Sequence, residues 1–127
     1  MDKTGRTEYA GVKFRSGIEA RWAERLDALG IAWEYESIHF GDRRRYTPDF
    51  RLDGKSIFLE VKGYSGELNA NIGLPVTEGA ALMVVYGYPW KVDHVKLWLP
   101  GEEVQLLRRS SVSEAYADAQ AWLTPVG

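Results

Sequence analysis

Residues 46–64 read YTPDFRLDGKSIFLEVKGY, and this stretch decides the fold. Asp53-Gly54 is a two-residue hairpin signal between two apolar runs. The second run, SIFLEVK, is apolar on both faces, as expected of a central strand covered on both sides. It is interrupted by one acid, Glu60, and one lysine, Lys62, which point to the same face because they are two apart. A two-residue turn at Asp53-Gly54 pairs positions whose numbers sum to 107. Asp49 then stands opposite Phe58 and diagonal to Glu60, with Cβ atoms about 7–8 Å apart. A slip of one residue would put Asp49 on the other face.

Working outward, Ser16 opens a helix in which Ile18, Trp22, Leu26 and Leu29 recur at helical spacing, and Gly30 stops it. Ser16 and Glu19 form a capping-box pattern. Residues 31–36 alternate as a strand with Ile31, Trp33 and Tyr35 on one face. A polar loop, GDRRR (41–45), leads into Tyr46. Beyond Lys62, residues 63–80 are too glycine-rich for a long helix, and one short turn is expected near 67–72. Strands follow at 81–87 and 95–99, with 104–107 pairing around Pro100-Gly101. A second capping box, Ser111 to Glu114, opens a helix ending near Leu123. Residues 1–13 read as a partly ordered arm. The order gives a single α/β domain over 1–127: a mixed central sheet flanked by an N-terminal and a C-terminal helix.

Composition narrows the function. The chain has no cysteine, which excludes disulfides, thiolate metal sites and cysteine nucleophiles. No apolar run approaches the ~20 residues of a membrane span, and MDKTGRTEYAG has no signal-peptide pattern, so a cytoplasmic protein is expected. The net charge of −2 argues against a general nucleic-acid coat. Residues 1–62 nevertheless hold 12 Lys/Arg against 11 Asp/Glu, and residues 63–127 hold 4 against 7. Motifs for nucleotide cofactors and serine hydrolases are missing.

A carboxylate in a buried strand must be paired or hold a metal. Hard oxygens suit Mg²⁺, with Mn²⁺ as a substitute. A neighbouring lysine could orient or deprotonate water, or neutralise transition-state charge. Asp49, Glu60 and Lys62 thus suit phosphodiester hydrolysis. The plainer alternative is a Glu60–Lys62 pair at a strand end with Asp49 as a turn residue. Glu19 has two readings, helix capping or a site role beside the apolar stripe, which exclude each other if its carboxylate can face only one way. Arg43, Arg44 and Arg45 are either a solvated tip or phosphate contacts. Arg15, Arg21 and Arg25 are either backbone contacts or helix-surface residues. His39 and His94 lack a third ligand and read as structural. Tyr46 and Tyr64 flank the site, for packing or base stacking.

FRSGIEARWAERLDALGIAWEYE, YTPDF and FLEVKGY together resemble the PD-(D/E)XK nuclease superfamily, especially its small RecB-like and phage endonuclease branches, junction-resolving enzymes included. The likeness covers residues 14–64 best. It implies a restriction-endonuclease-like core with a four-stranded mixed sheet, and metal-dependent cleavage of branched, flap or duplex DNA in phage or bacterial recombination and repair. It would act in the cytoplasm, or the host cytoplasm if phage-encoded. It also implies that Asp49 and Glu60 bind metal, that Lys62 is catalytic, that Val61 lends its carbonyl and that Glu19 is an additional metal or water ligand. From the residues themselves, Arg15, Arg43, Arg44, Arg45 and Tyr64 are the candidates for DNA contact; a homodimer is one arrangement that small members of the superfamily adopt. Many relatives continue past the lysine into a long helix, and this chain does not. A rival reading is a catalytically silent DNA-binding or protein-interaction module on the same fold.

Overall fold

A computed structural model describes residues 7–64, 68–101, 105–109 and 111–123. The chain runs β1 (Glu8–Tyr9), β2 (Val12–Lys13), α1 (Gly17–Ala28), β3 (Trp33–Tyr35), β4 (Phe50–Leu52), β5 (Ile57–Lys62), α2 (Leu74–Thr77), β6 (Ala81–Tyr88), β7 (Lys91–Leu99), β8 (Gln105–Arg109) and α3 (Val112–Leu123). Strands β3 to β8 form one six-stranded sheet in sequence order. All neighbours are antiparallel except β5 and β6, so the sheet is mixed as expected, with six strands rather than four.

The parallel pair explains the glycine-rich stretch. Parallel neighbours require a crossover of a dozen or more residues, and residues 63–80 supply it. The short turn expected near 67–72 is present, with the Ile72 N–H donating to Asn69 O, and a second turn at 71–74 leads into the four-residue α2, with Pro75 in its first turn. Of the N-terminal arm, residues 1–6 lie outside the described residues. Its described part is the β1–β2 hairpin, where the Tyr9 hydroxyl donates to Asp27 Oδ2 at 2.6 Å and Tyr9 and Val12 pack on the core.

Helix α1 ends as its sequence dictates. Gly30 is left-handed (φ 75°), its N–H donates to Asp27 O, and the Ile31 N–H donates to Leu26 O, a Schellman motif. At the other end the Ser16 hydroxyl accepts the Glu19 N–H. Strand alternation divides the interior into two cores. Phe50, Leu52, Ile57, Leu59, Met83, Val85 and Leu97 face α1 and α3. On the opposite face, Phe58, Leu82, Val84 and Tyr86 pack under Phe40, Tyr46 and Val76. No helix among the described residues is long and apolar enough to cross a membrane.

The β4–β5 register corrects the sequence reading and keeps its consequence. Asp53 and Gly54 form the turn (φ 52° and 63°), closed by the Lys55 N–H donating to Leu52 O. The Arg51 guanidinium holds the carbonyls of Gly54 and Lys55 at 2.9 and 3.0 Å and widens the loop. Phe50 therefore faces Leu59 and Arg51 faces Phe58, so pairs sum to 109. The shift is two residues, an even number, and every side chain keeps its face. Extended by one step, this register sets Asp49 directly opposite Glu60 instead of diagonal to it.

Candidate active site

Asp49 lies where β4 leaves β5. Its backbone carbonyl accepts the Glu36 N–H at 2.9 Å, and its Oδ2 accepts the Val61 N–H at 2.7 Å. The carboxylate thus takes the place of a ladder carbonyl, and the strands part beneath it. The Val61 carbonyl faces the same edge as its N–H, toward this gap. Glu60 follows on β5. The Tyr46 hydroxyl donates to its Oε1 at 2.7 Å, and Lys62 Nζ lies 3.9 Å from its Oε2.

Tyr46 is positioned by a tight loop. Phe40 and Tyr46 exchange both backbone hydrogen bonds, closing residues 41–45. Gly41 is required there: at φ 86°, a Cβ would lie 1.9 Å from Arg44 O. The loop sets the buried phenol against Glu60. Burial and then the Glu60 charge raise the Tyr46 pKa far above the ordinary range, so it remains a donor.

The third acid comes from α1. Glu19 Oε1 accepts from the Ser16 and Tyr35 hydroxyls, each at 3.1 Å. The helix is capped by the Ser16 hydroxyl, which accepts the Glu19 N–H, and the Glu19 carboxylate does not return to the cap backbone but stays beside Asp49. Arg15 closes the group from solvent, with Nη2 at 2.6 Å from Glu36, 3.4 Å from Asp49 and 3.9 Å from Glu19. Glu36 reaches it from a left-handed backbone (φ 49°), uncommon outside glycine.

Glu19, Asp49 and Glu60 are 6%, 2% and 9% exposed, the buried charged residues of the described core. Burial, then the charges of Glu60 and Glu19, push the Asp49 carboxyl up to about 9, against the pull of the Val61 N–H. Burial also raises Glu60, while the Tyr46 hydroxyl and Lys62 hold it down. The site is short of positive charge. No set of three or more His, Cys, Asp or Glu side chains forms a ready metal cage among the described residues. The donor set instead fits a hard cation that takes one or two carboxylates and keeps its waters.

These groups line an open cavity of about 850 Å³. Of the residues singled out from sequence, Glu19, Asp49, Glu60, Val61, Lys62, Arg15 and Arg45 lie on its wall, whereas Arg43, Arg44 and Tyr64 do not. Arg43 and Arg44 are exposed at the loop tip. Sequence reading missed Ser16 and Glu36 as wall residues, and Tyr46 as the Glu60 donor. It also missed Thr47 and His39, hydrogen-bonded to each other at 2.5 Å on the same wall. The position of Tyr46 just ahead of Pro48-Asp49 was a usable signal; Glu36 and His39 carried none.

Comparison with known proteins gives one partial likeness. No family model matches the chain, and no solved structure matches it. The chain is 40% identical over 55 residues to Endonuclease I of Escherichia phage T7, a stretch that is 39% of this chain and 36% of that protein. It spans little more than a third of that relative. Over that stretch, the chain is similar to a phage endonuclease.

Proposed function

We infer that the protein is a nuclease that hydrolyses DNA phosphodiester bonds with Mg²⁺, or Mn²⁺ in its place. The observation that carries this reading is the buried pair Asp49 and Glu60, deficient in positive charge and flanked by Lys62 on the wall of an open cavity. The partial likeness to a phage endonuclease supports it.

Asp49, Glu60 and the Val61 carbonyl would hold the ion, with Glu19 beside Asp49 as a further ligand or a partner to a bound water. When bound, it supplies Lewis-acid polarisation of the scissile phosphate and lowers the pKa of water. The Tyr46 hydroxyl fixes the orientation of Glu60, leaving Oε2 toward Lys62. The Lys62 ammonium stands where it can orient the attacking water or neutralise charge on the phosphoryl oxygens. Arg15 and Arg45 place guanidinium groups on the same wall, suited to phosphate oxygens.

The setting would be phage or bacterial recombination and repair, in the bacterial or host cytoplasm. Supercoiled plasmid, flap and four-way DNA incubated with Mg²⁺ should be cut, and EDTA should stop the reaction. A folded Glu60→Gln protein that cuts as fast as the wild type would refute the assignment.

A further inference from the structure

We propose that an aromatic row, Tyr64–Tyr88–Trp90, exposed at Tyr64 and Trp90 and half-buried at Tyr88, stacks unpaired bases of the DNA strand whose backbone enters the cavity; this rests on the nuclease reading above. Tyr64 lies two residues beyond Lys62, and Lys62 pairs with Tyr86 in the parallel β5–β6 register. The row therefore begins at the same end of the sheet as the cavity and leads away from it.

The rings are arranged as a platform. Tyr64 and Tyr88 have centroids 6.0 Å apart, and Tyr88 and Trp90 are stacked at 4.9 Å with planes 25° apart. Tyr64 is 52% and Trp90 58% exposed, among the most exposed large apolar side chains described. A surface-placed aromatic stack of this kind costs apolar hydration without filling a core.

Two devices hold it in place. The Tyr64 hydroxyl donates to Lys91 O at 2.8 Å, pinning the ring to the β6–β7 hairpin. Gly87 provides the bare backbone beneath: at φ 111°, a Cβ there would lie 3.0 Å from the Tyr64 ring and 2.5 Å from Lys91 O. The Gly87 carbonyl in turn accepts the Trp22 indole N–H at 2.9 Å, tying the hairpin to α1.

The exposed Arg25 brings positive charge beside the row. Trp90 and Pro89 border a groove of about 450 Å³ whose other wall is α1, with Arg21, Arg25 and Leu29. Glu24 lies there too and pairs with Arg21 at 2.9 Å. Aromatic faces flanked by guanidinium groups are the chemistry of single-strand binding, because every base offers a π-face. Inside a duplex those faces are covered by neighbouring bases. The row would therefore favour DNA with an unpaired tail or branch over blunt duplex.

The test is fluorescence anisotropy of labelled oligonucleotides in EDTA, comparing a duplex carrying a single-stranded tail with the same duplex made blunt. Wild type should prefer the tailed DNA. Trp90→Ala should weaken tailed binding roughly 5- to 100-fold and leave blunt binding unchanged, and Trp90→Phe should restore most of the loss. Mn²⁺ binding and Tm should be unaffected, since Trp90 is exposed and off the cavity wall. Equal affinity of wild type and Trp90→Ala for the tailed duplex would overturn the proposal. DNA cleavage intact in the same Trp90→Ala protein would show that the nuclease reading survives that failure. No cleavage by wild type on any DNA, with tail preference kept, would overturn the nuclease reading alone.

Discussion

Two aspartates bracket β4, four residues apart, and they live in opposite surroundings. Asp53, at the turn end, has each oxygen committed to a neutral protein donor: Oδ1 accepts the Ala32 N–H at 2.8 Å, and Oδ2 accepts the Tyr116 hydroxyl of α3. Asp49, at the open end, is almost wholly buried beside two other acids, with one backbone N–H and part of a shared guanidinium for company. The first acid ties the β3–β4 edge and α3 to the turn. The second leaves charge unbalanced. A fold gains from the first arrangement, whereas the second is worth keeping only if another cation or a proton completes it.

The sharpest way to break this contrast is to exchange roles by mutation. Asp49→Asn should lower the rate of plasmid cleavage by about 10³-fold, as losing a charge-stabilising group at the reacting centre does. Asp53→Asn should leave the rate within about 2-fold and lower stability by roughly 1–3 kcal/mol, the cost of weakened hydrogen bonds to a charged acceptor. Cleavage assays and denaturant melts on both proteins check the pair of outcomes.

Tyr46→Phe tests the support behind Glu60. Losing the 2.7 Å hydrogen bond should push the Glu60 carboxyl further up and weaken Mn²⁺ binding by roughly 10-fold, the usual scale for an outer partner of a ligand. Calorimetric titration reads this without reference to activity.

The pH dependence of the metal-free protein isolates Asp49. The Asp49 carboxyl is raised to about 9, so the folded state holds a proton that the unfolded chain has released above about pH 4. Native protons then exceed unfolded ones, and stability falls as pH rises between those limits. Denaturant melts in EDTA at pH 5 and pH 8 should show lower stability at pH 8. Asp49→Asn, which has no proton to lose, should flatten that slope, and Asp53→Asn should keep it. The smallest effect is expected at the rim: Arg15→Gln should reduce the salt slope of DNA binding by about 1 and leave cleavage measurable.

How much of this was legible follows from which interactions are local. Helix α1, its Ser16 cap and its Gly30 stop are written within a few neighbouring residues, and the sequence reading located all three. Strand parity is equally local, which is why Asp49, Glu60 and Lys62 were assigned to one site despite a wrong register. The register error came from Arg51, whose side chain reaches forward to two loop carbonyls, an interaction no turn rule contains. Glu36 and His39 enter the wall only because residues 36–47 fold back over the sheet, and such loop paths depend on distant contacts. The grip on Glu19 is partly local, through Ser16 and Arg15 three and four residues before it, and partly distant, through Tyr35 of β3.

The central claim is that Asp49, unlike Asp53, belongs to a cation site. It is tested most directly by titrating Mn²⁺ into wild type, Asp49→Asn and Asp53→Asn at pH 7.5 in one calorimetric series. The account predicts saturable binding to wild type and Asp53→Asn, with heat lost from Asp49→Asn. Undiminished binding to folded Asp49→Asn would contradict it.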